Sequence, residues 1–311
     1  MNAAQINEYG GKEVLRLTAD APKPQPAAGE VLVEVRSAGV NPFDGKVREG
    51  YMKDMIPLKF PATLGGDVSG VVAELGEGVV GFVIGQPVYG QANAVSGVGS
   101  YAEFTPVKAE SLTVKPDGLD FETAAAAPLA GVSAYQALVD HAGLKSGQKV
   151  LIHGAAGGIG SFALQLAKHI GALVAATAAA EDIAYVKGLG ADEVIDYKTQ
   201  DFTALVKDYD VVFDTVGGET FTKSHQVLRS GGILVTMSGQ PDETLAKQYE
   251  IQVIQQMSQV TPKRLAKLTE MLEQGVLKVH IDKVFPLEQA GEAQAYIQAG
   301  HHHGKVVIKV R

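Results

Sequence analysis

No cysteine occurs in the 311 residues. That excludes disulfides, a cysteine nucleophile and any thiolate-ligated zinc centre. Basic residues are outnumbered: 27 Lys and Arg stand against 35 Asp and Glu, a formal net charge of −8. Binding along a nucleic-acid backbone relies on a basic face, so the acidic balance argues against that partner, while a local basic pocket for one phosphate remains open. No apolar run reaches the roughly 18 residues of a membrane span, so no membrane partner is expected. Residues 1–10 lack a basic segment followed by an apolar core, so no signal peptide is expected and a cytoplasmic location is the default.

What is present is ordinary for a globular protein with a sizeable core, with 46% hydrophobic and 20% charged residues. The length is about twice that of a typical domain, which predicts two domains. Residues 1–125 read as mostly β. Residues 31–36 are rich in branched apolar side chains, Asp67–Leu75 and residues 87–89 form further strands, and Gly65, Gly66, Gly76, Gly78, Gly81 and Gly85 mark turns. Many short strands with glycine turns suggest a barrel-like unit. Pro22, Pro24 and Pro26 make an extended connector.

The pattern changes near residue 120. An alanine-rich stretch over 120–141, broken at Pro128, predicts two helices. Strands are then expected at 149–153, 173–177, 193–195, 211–214 and 232–237, with helices at 161–170 and 183–188. This alternation predicts an α/β unit with a parallel sheet and helices on both faces, over residues 126–262. The remaining residues, 263–311, carry amphipathic helices at 265–274 and 287–299 and a final strand at 305–310.

The segment His153-Gly154-Ala155-Ala156-Gly157-Gly158-Ile159-Gly160 follows a buried strand and opens a helix. A pyrophosphate needs bare backbone N–H groups at a helix N-terminus, and glycine wherever a Cβ would collide. Gly154, Gly157 and Gly160 fit that pattern, with Ala156 at the middle position and Gly158 adding room. The context predicts dinucleotide binding. At the end of the next strand, proteins that prefer NAD place Asp or Glu to hold the ribose 2′-hydroxyl. Here stand Thr177 and Ala178, which leave room for a 2′-phosphate and predict NADPH, with NADH as the alternative. Glu181 and Asp182 lie nearby. Tyr197 and Lys198 are candidates for flanking the adenosine phosphate, or else form a solvated turn. Thr215, Val216 and Gly217 follow the fourth strand, and Ser238 and Gly239 the fifth; such positions face the ribose and nicotinamide.

Several motifs occur in a telling order: Ala38-Gly39-Val40-Asn41-Pro42-Phe43-Asp44, Gly65-Gly66-Asp67-Val68-Ser69-Gly70-Val71-Val72, Pro128-Leu129-Ala130-Gly131-Val132-Ser133-Ala134-Tyr135, the glycine turn, Asp214-Thr215-Val216-Gly217-Gly218 and Gly304-Lys305-Val306-Val307-Ile308. Together they resemble the medium-chain dehydrogenase/reductase superfamily, specifically its zinc-independent quinone oxidoreductase branch, which includes zeta-crystallin. The resemblance covers nearly the whole chain. It implies a chaperonin-10-like (GroES-like) β-barrel catalytic domain, a Rossmann-type doubly wound cofactor domain, and a cleft between them. It also implies a last strand that returns to the catalytic domain, and a homodimer paired edge to edge through the cofactor domains.

Zinc-dependent relatives carry a cysteine where this chain has Asn41, a histidine where it has Gly66, and a third ligand near Ala130 and Gly131. The resemblance therefore implies no catalytic zinc, and oxidation of an unactivated alcohol is disfavoured. It implies instead hydride delivery from NADPH to a small-molecule quinone, or to an enone. Catalytic candidates come from the first loop facing the cleft: Asn41 as an amide donor, Lys46 as a positive charge near the cofactor, and Tyr51 as a hydroxyl and ring face. Each has a structural alternative: Asn41 capping a turn, Lys46 on the surface, Tyr51 plugging the core. Gln256, Met257 and Ser258 are candidates for closing over the carboxamide. His301, His302 and His303 are expected to form a solvent-facing turn without a metal, since adjacent histidines rarely converge on one ion without further ligands. The competing readings are an enoyl or alkenal reductase of the same fold, and a dinucleotide-binding protein without turnover.

Overall fold

Val31, Leu32, Val33 and Val35 are all fully buried. Consecutive burial means that both faces of their strand are covered. The strand is longer than its apolar run suggests, spanning Glu30–Val40. In the computed structural model, which describes residues 1–300 and 302–311, this strand is the spine of a seven-stranded sheet. Antiparallel to it lie Asp67–Leu75 on one side and Lys305–Lys309 on the other, while Phe104–Lys108 pairs with its first half. Pro87–Gln91 and Leu112–Val114 extend the sheet beyond Asp67–Leu75, and Ile281–Pro286 extends it beyond Lys305–Lys309. A three-stranded sheet of Arg16–Thr18, Ala3–Ile6 and Ala62–Thr63 accompanies it. The final strand thus joins the first unit, as the resemblance implies.

The second sheet is parallel throughout. Its six strands lie in the order Glu193–Asp196, Leu173–Ala178, Lys149–His153, Tyr209–Asp214, Leu228–Thr236, Gln252–Gln255. The chain starts in the middle, winds outward to one edge, returns, and winds to the other. That is the doubly wound arrangement, whose switch point lies between Lys149–His153 and Tyr209–Asp214. The chain divides into two compact units: Met1–Leu129 with Val260–Glu273 and Val279–Arg311, and Ala130–Gln259 with Gln274–Lys278.

Several local expectations change. Residues 42–48 are not loop but the helix Pro42–Arg48, opened by Pro42 at its first position. The helix expected from 161 begins three residues earlier, at Gly158–Ile170, and ends on Gly171 in the left-handed conformation (φ +89°). Beyond Pro128, the helix Pro128–Tyr135 runs on into a π-helix, Gln136–His141. The helix expected over 287–299 is a 3-10 turn, Leu287–Gln289, followed by Ala290–Gln298. Strands Gln252–Gln255 and Ile281–Pro286 escaped the sequence pattern because neither has a run of buried residues. Their places are set by parallel neighbours rather than by local apolar alternation.

Candidate active site

Helix Pro42–Arg48 positions the candidates of the first unit. Its last residue, Arg48, is fully buried and donates to Gly10 O, Gln294 Oε1 and Glu49 Oε1. A guanidinium held on three sides pins the helix end. At the other end, the Asp44 carboxylate reaches back to the Asn41 backbone N–H (2.9 Å) and also accepts the Tyr101 hydroxyl (2.8 Å). Burial pushes the Asp44 carboxyl up to about 7, against the opposing pull of the Asn41 N–H and the Tyr101 hydroxyl. Burial and the neighbouring Asp44 push the Tyr101 phenol well above its ordinary value.

Asn41 is buried, and both ends of its amide are engaged. Its Nδ2 donates to Asp67 Oδ2 (2.9 Å), and its Oδ1 accepts from Lys305 Nζ (2.5 Å). Lys305 also donates to Val40 O (3.1 Å) and lies 3.8 Å from Asp67 Oδ2. The other oxygen of Asp67 accepts the Leu129 N–H (3.0 Å). Asp67 and Lys305 are both fully enclosed; burial raises the pKa of the first and lowers that of the second, and their mutual attraction opposes both shifts. Because both Asp67 oxygens accept hydrogen bonds and the ammonium donates twice, we describe the pair as charged. This ion pair escaped the sequence reading, although both residues stand inside quoted motifs. The available signal was a carboxylate and a lysine embedded in strands otherwise apolar.

A catalytic zinc does not fit this centre. Asn41 and Gly66 supply no thiol or imidazole. Of the two carboxylates at hand, Asp44 is taken up by the Asn41 N–H and the Tyr101 hydroxyl, and Asp67 is already neutralised by an ammonium that holds the Asn41 carbonyl oxygen, where a second cation would be repelled. Lys46 lies on the same helix and is exposed. Tyr51 is 73% exposed, so it does not plug the core.

The second unit gathers its candidates at the carboxyl ends of the parallel strands. Gly154 is left-handed (φ +70°), and a Cβ on it would stand 2.6 Å from Thr215 Oγ1. A Cβ on Gly160 would run into the Gly154 carbonyl oxygen and stand 2.7 Å from Ala155 Cα. One glycine thus permits the turn and the other the close packing of helix on turn. Ala155 and Ala156 are buried, whereas Gly157, Gly158 and Ile159 are half-buried at the helix start. Gly157 has room around its Cβ position, with only the Gly154 carbonyl oxygen at 3.5 Å. A phosphate-sized group therefore meets bare backbone there, and a dinucleotide fits these residues.

The flanking loops are tied to that turn. Thr215 Oγ1 donates to His153 O (2.8 Å). Asp214 accepts the Val216 and Gly217 N–H groups (3.0 Å each) and the Thr236 hydroxyl (2.9 Å). Thr236 in turn accepts from Gly239 N (2.8 Å). Gly217 is left-handed (φ +84°), and a Cβ on it would stand 2.8 Å from Ser238 Cβ. The sequence reading passed over Asp214 as a shaping residue, because it joins its own loop, at Val216 and Gly217, to the end of the neighbouring strand, at Thr236.

His153 decides what Thr177 can do. Ser224 Oγ gives its proton to Thr220 O (2.7 Å), so it accepts from His153 Nε2 (3.1 Å). His153 Nδ1 is then an acceptor and takes the Thr177 hydroxyl proton (3.1 Å). Burial pulls His153 down to about 4, with Asp214 resisting, so the ring is neutral. Thr177 is itself buried, and its hydroxyl is committed to the protein. Tyr197 is 59% exposed, and Lys198 pairs with Glu181 at 2.8 Å on the surface. The loop over 256–259 is pinned from within the unit: Gln256 Nε2 donates to Ser133 O (3.0 Å), Gln136 Oε1 accepts Gln259 N (3.0 Å), and Met257 is exposed.

Comparison with known proteins adds context. Residues 27–117 match the family model described as alcohol dehydrogenase GroES-like domain, and residues 189–308 match one described as zinc-binding dehydrogenase. A chloroplast envelope quinone oxidoreductase homolog of Arabidopsis thaliana is 37% identical, over 99% of this chain and 98% of its own. An NADPH-dependent alkenal/one oxidoreductase, chloroplastic, of the same plant is 35% identical, over 99% and 79%. Among solved structures, the Escherichia coli quinone oxidoreductase complexed with NADPH superposes with a TM-score of 0.89 at 26% identity, covering all of both chains.

Proposed function

The chain belongs to the medium-chain dehydrogenase/reductase superfamily, in its quinone oxidoreductase branch, and from that membership we propose that it is an NADPH-dependent, zinc-independent reductase of quinone-type acceptors. The observation that carries this reading is the buried Asp67–Lys305–Asn41 cluster. It presents a fixed amide where a metal-dependent enzyme needs a thiolate.

When bound, NADPH supplies a hydride from C4 of its nicotinamide. The chain's own residues then have three tasks. Gly154, Ala155, Ala156, Gly157, Gly158, Ile159 and Gly160 receive the pyrophosphate through backbone N–H groups. Thr177 and Ala178 leave the 2′-phosphate unopposed, and because the Thr177 hydroxyl is held by His153 they do so by shape and neutrality. Tyr197 flanks the adenosine phosphate, while Thr215, Val216, Gly217, Ser238 and Gly239 border the ribose and nicotinamide.

On the acceptor side, Asn41 Nδ2 carries two hydrogens and gives one to Asp67. The second is offered to the acceptor oxygen as negative charge develops on it, and one such donor is worth about 3 kcal/mol of barrier. Lys46 adds a positive charge, and Tyr51 a ring face and hydroxyl. Electron-poor quinones need no Lewis acid, and the absence of thiol and imidazole at residues 41 and 66 supports that reading.

A second reading, reduction of a conjugated carbon–carbon double bond, is supported by the relative named for alkenal/one reduction; Tyr51 would then be the proton donor. Steady-state turnover with NADPH against a panel of quinones and enones separates the two. Clear NADPH binding with no turnover of any acceptor would refute both. Tighter binding of NADPH than NADH, read by nicotinamide fluorescence, is expected, and equal affinity would overturn the cofactor preference. Activity should survive exhaustive chelation; loss restored by zinc would refute the zinc-free centre.

The homodimer is also part of the proposal, supported by the resemblance and by strand Gln252–Gln255 standing at the edge of its sheet; sedimentation is its check. So is a cytoplasmic location. No helix among the described residues is long and apolar enough to cross a membrane, while relatives carry chloroplast and mitochondrial names. Fractionation decides it.

A further inference from the structure

From sequence alone the histidine run near the C-terminal strand reads as a solvent-facing turn without a metal, because adjacent histidines need ligands from elsewhere. The fold brings such ligands to one of them. Strand Ile281–Pro286 runs parallel to Lys305–Lys309, with Ile281 beside Lys305. His280, just before the first strand, and His303, just before the second, are therefore neighbours. Lys305 N donates to His280 O (2.9 Å), and the left-handed Gly304 (φ +63°) lets the backbones approach, since a Cβ there would meet the same carbonyl oxygen. Asp282 lies two residues after His280, where the pairing register shifts between Ile281 and Lys283. His301 lies outside the described residues.

One ligand atom from each of His280, Asp282 and His303 lies within 4.8 Å of the other two. Among the described residues, this is the one such group with metal-ligating side chains so placed. Around a single tetrahedral zinc, ligand atoms stand about 3.3 Å apart, for bonds of about 2.0 Å. Small side-chain rotations close the difference. The carboxylate is already oriented: Tyr296 Oη donates to Asp282 Oδ2 (2.6 Å), and His303 N donates to Oδ1 (3.4 Å). A hydrogen-bonded ligand of this kind holds its metal-facing lone pair in place. Asp282 and His303 are half-buried and His280 is exposed, so an ion can enter from solvent.

We propose that His280, Asp282 and His303 form a binding site for one divalent transition-metal ion, of the zinc(II) or cobalt(II) class. Two imidazoles and one carboxylate suit these borderline ions, whereas calcium and magnesium want oxygen ligands throughout. Three protein ligands leave at least one position for water. The site belongs to the first unit alone and does not depend on the reductase reading. Its consequence is structural: an ion bridging the starts of two parallel strands binds the folded chain and not the unfolded one, and so stabilises it.

The test is titration of the full chain with cobalt(II), followed by visible absorbance, with zinc(II) as competitor and thermal melting in parallel. One equivalent should bind, with a raised melting temperature. His280→Ala and Asp282→Ala should each weaken binding at least tenfold, and Tyr296→Phe about tenfold, the usual range for loss of a supporting hydrogen bond. His280 is exposed, so its variant should keep the wild-type melting temperature in chelator, which separates lost ligation from lost folding. Absence of saturable binding of one equivalent would overturn the proposal. So would undiminished binding in both His280→Ala and Asp282→Ala, because the histidine run alone would then be the ligand. Neither readout involves turnover, so failure here leaves the reductase assignment standing, and failure of that assignment leaves this one.

Discussion

Replacing Lys305 by methionine keeps the length of the side chain and removes its charge. The consequence follows from the surroundings of the ammonium. It lies 3.8 Å from Asp67 Oδ2, and both groups are enclosed by protein. At an effective dielectric of about 20, the attraction at that distance is about 4 kcal/mol. Removing one partner strands the other charge, and such losses run to about 3–5 kcal/mol. That is a large share of the roughly 5–15 kcal/mol by which a domain is stable. The double variant, Lys305→Met with Asp67→Asn, should be less damaged than the singles predict. The amide introduced at 67 is neutral and can still accept from Leu129 N. With no ammonium holding its carbonyl oxygen, Asn41 is free to flip and accept from that new amide. We therefore expect the cost of the double variant to fall short of the sum by about 2 kcal/mol, a typical coupling for contacting residues. Urea denaturation of the four proteins measures it. Turnover offers an independent reading: Lys305→Met should lower kcat at unchanged NADPH affinity, because it loosens Asn41 and leaves the glycine turn intact. Additivity within about 0.5 kcal/mol would refute the coupled cluster and with it the account of how Asn41 is aimed.

Other expectations follow from the same structure. Gly160→Ala drives a methyl into the Gly154 carbonyl oxygen; backbone must shift, and NADPH affinity measured by fluorescence should fall at least tenfold while quinone-independent folding signals persist. His153 and Asp44 predict opposite pH dependences. His153 titrates near 4 when folded, against an ordinary 6.5, so the unfolded chain takes up the extra proton and stability drains away as pH falls from 6.5 towards 4, by about 3 kcal/mol at about 1.36 kcal/mol per decade. Asp44 is raised to about 7, so the folded chain keeps its proton longer and stability is lost as pH rises from about 4 through 7. His153→Gln should leave only the falling trend and Asp44→Asn only the rising one; urea midpoints that run parallel to wild type in both would defeat the assignment. Tyr51→Ala should raise KM for an aromatic quinone several-fold without moving the melting temperature, since the ring is largely in solvent. A fall in stability would return Tyr51 to a packing role.

The glycine-rich strand–turn–helix was legible because everything it needs is local. A buried strand, a glycine turn and the helix that follows run without a break over residues 149–170, and the turn's backbone conformation is dictated by which of its residues lack a Cβ. The alternating strands and helices of the second unit were legible for the same reason, and so was the absence of a thiol or imidazole at residues 41 and 66. The strands Gln252–Gln255 and Ile281–Pro286 were not, because partners and not periodicity make them strands. Nor was the commitment of the Thr177 hydroxyl, which hangs on a proton chain from Thr220 through Ser224 and His153.

By itself, then, the amino-acid order determined the glycine-rich turn, the layered parallel unit and the absence of a thiol or imidazole at residues 41 and 66. Tertiary structure alone decided what holds Asn41. Its partner Lys305 lies 264 residues away, and only the antiparallel register of Val306 against Val40 sets that ammonium beneath the amide. The same sheet brings His280 and Asp282 beside His303. Residue types announce which chemistry is available; strand register, which depends on the packing of distant segments, selects which side chains meet.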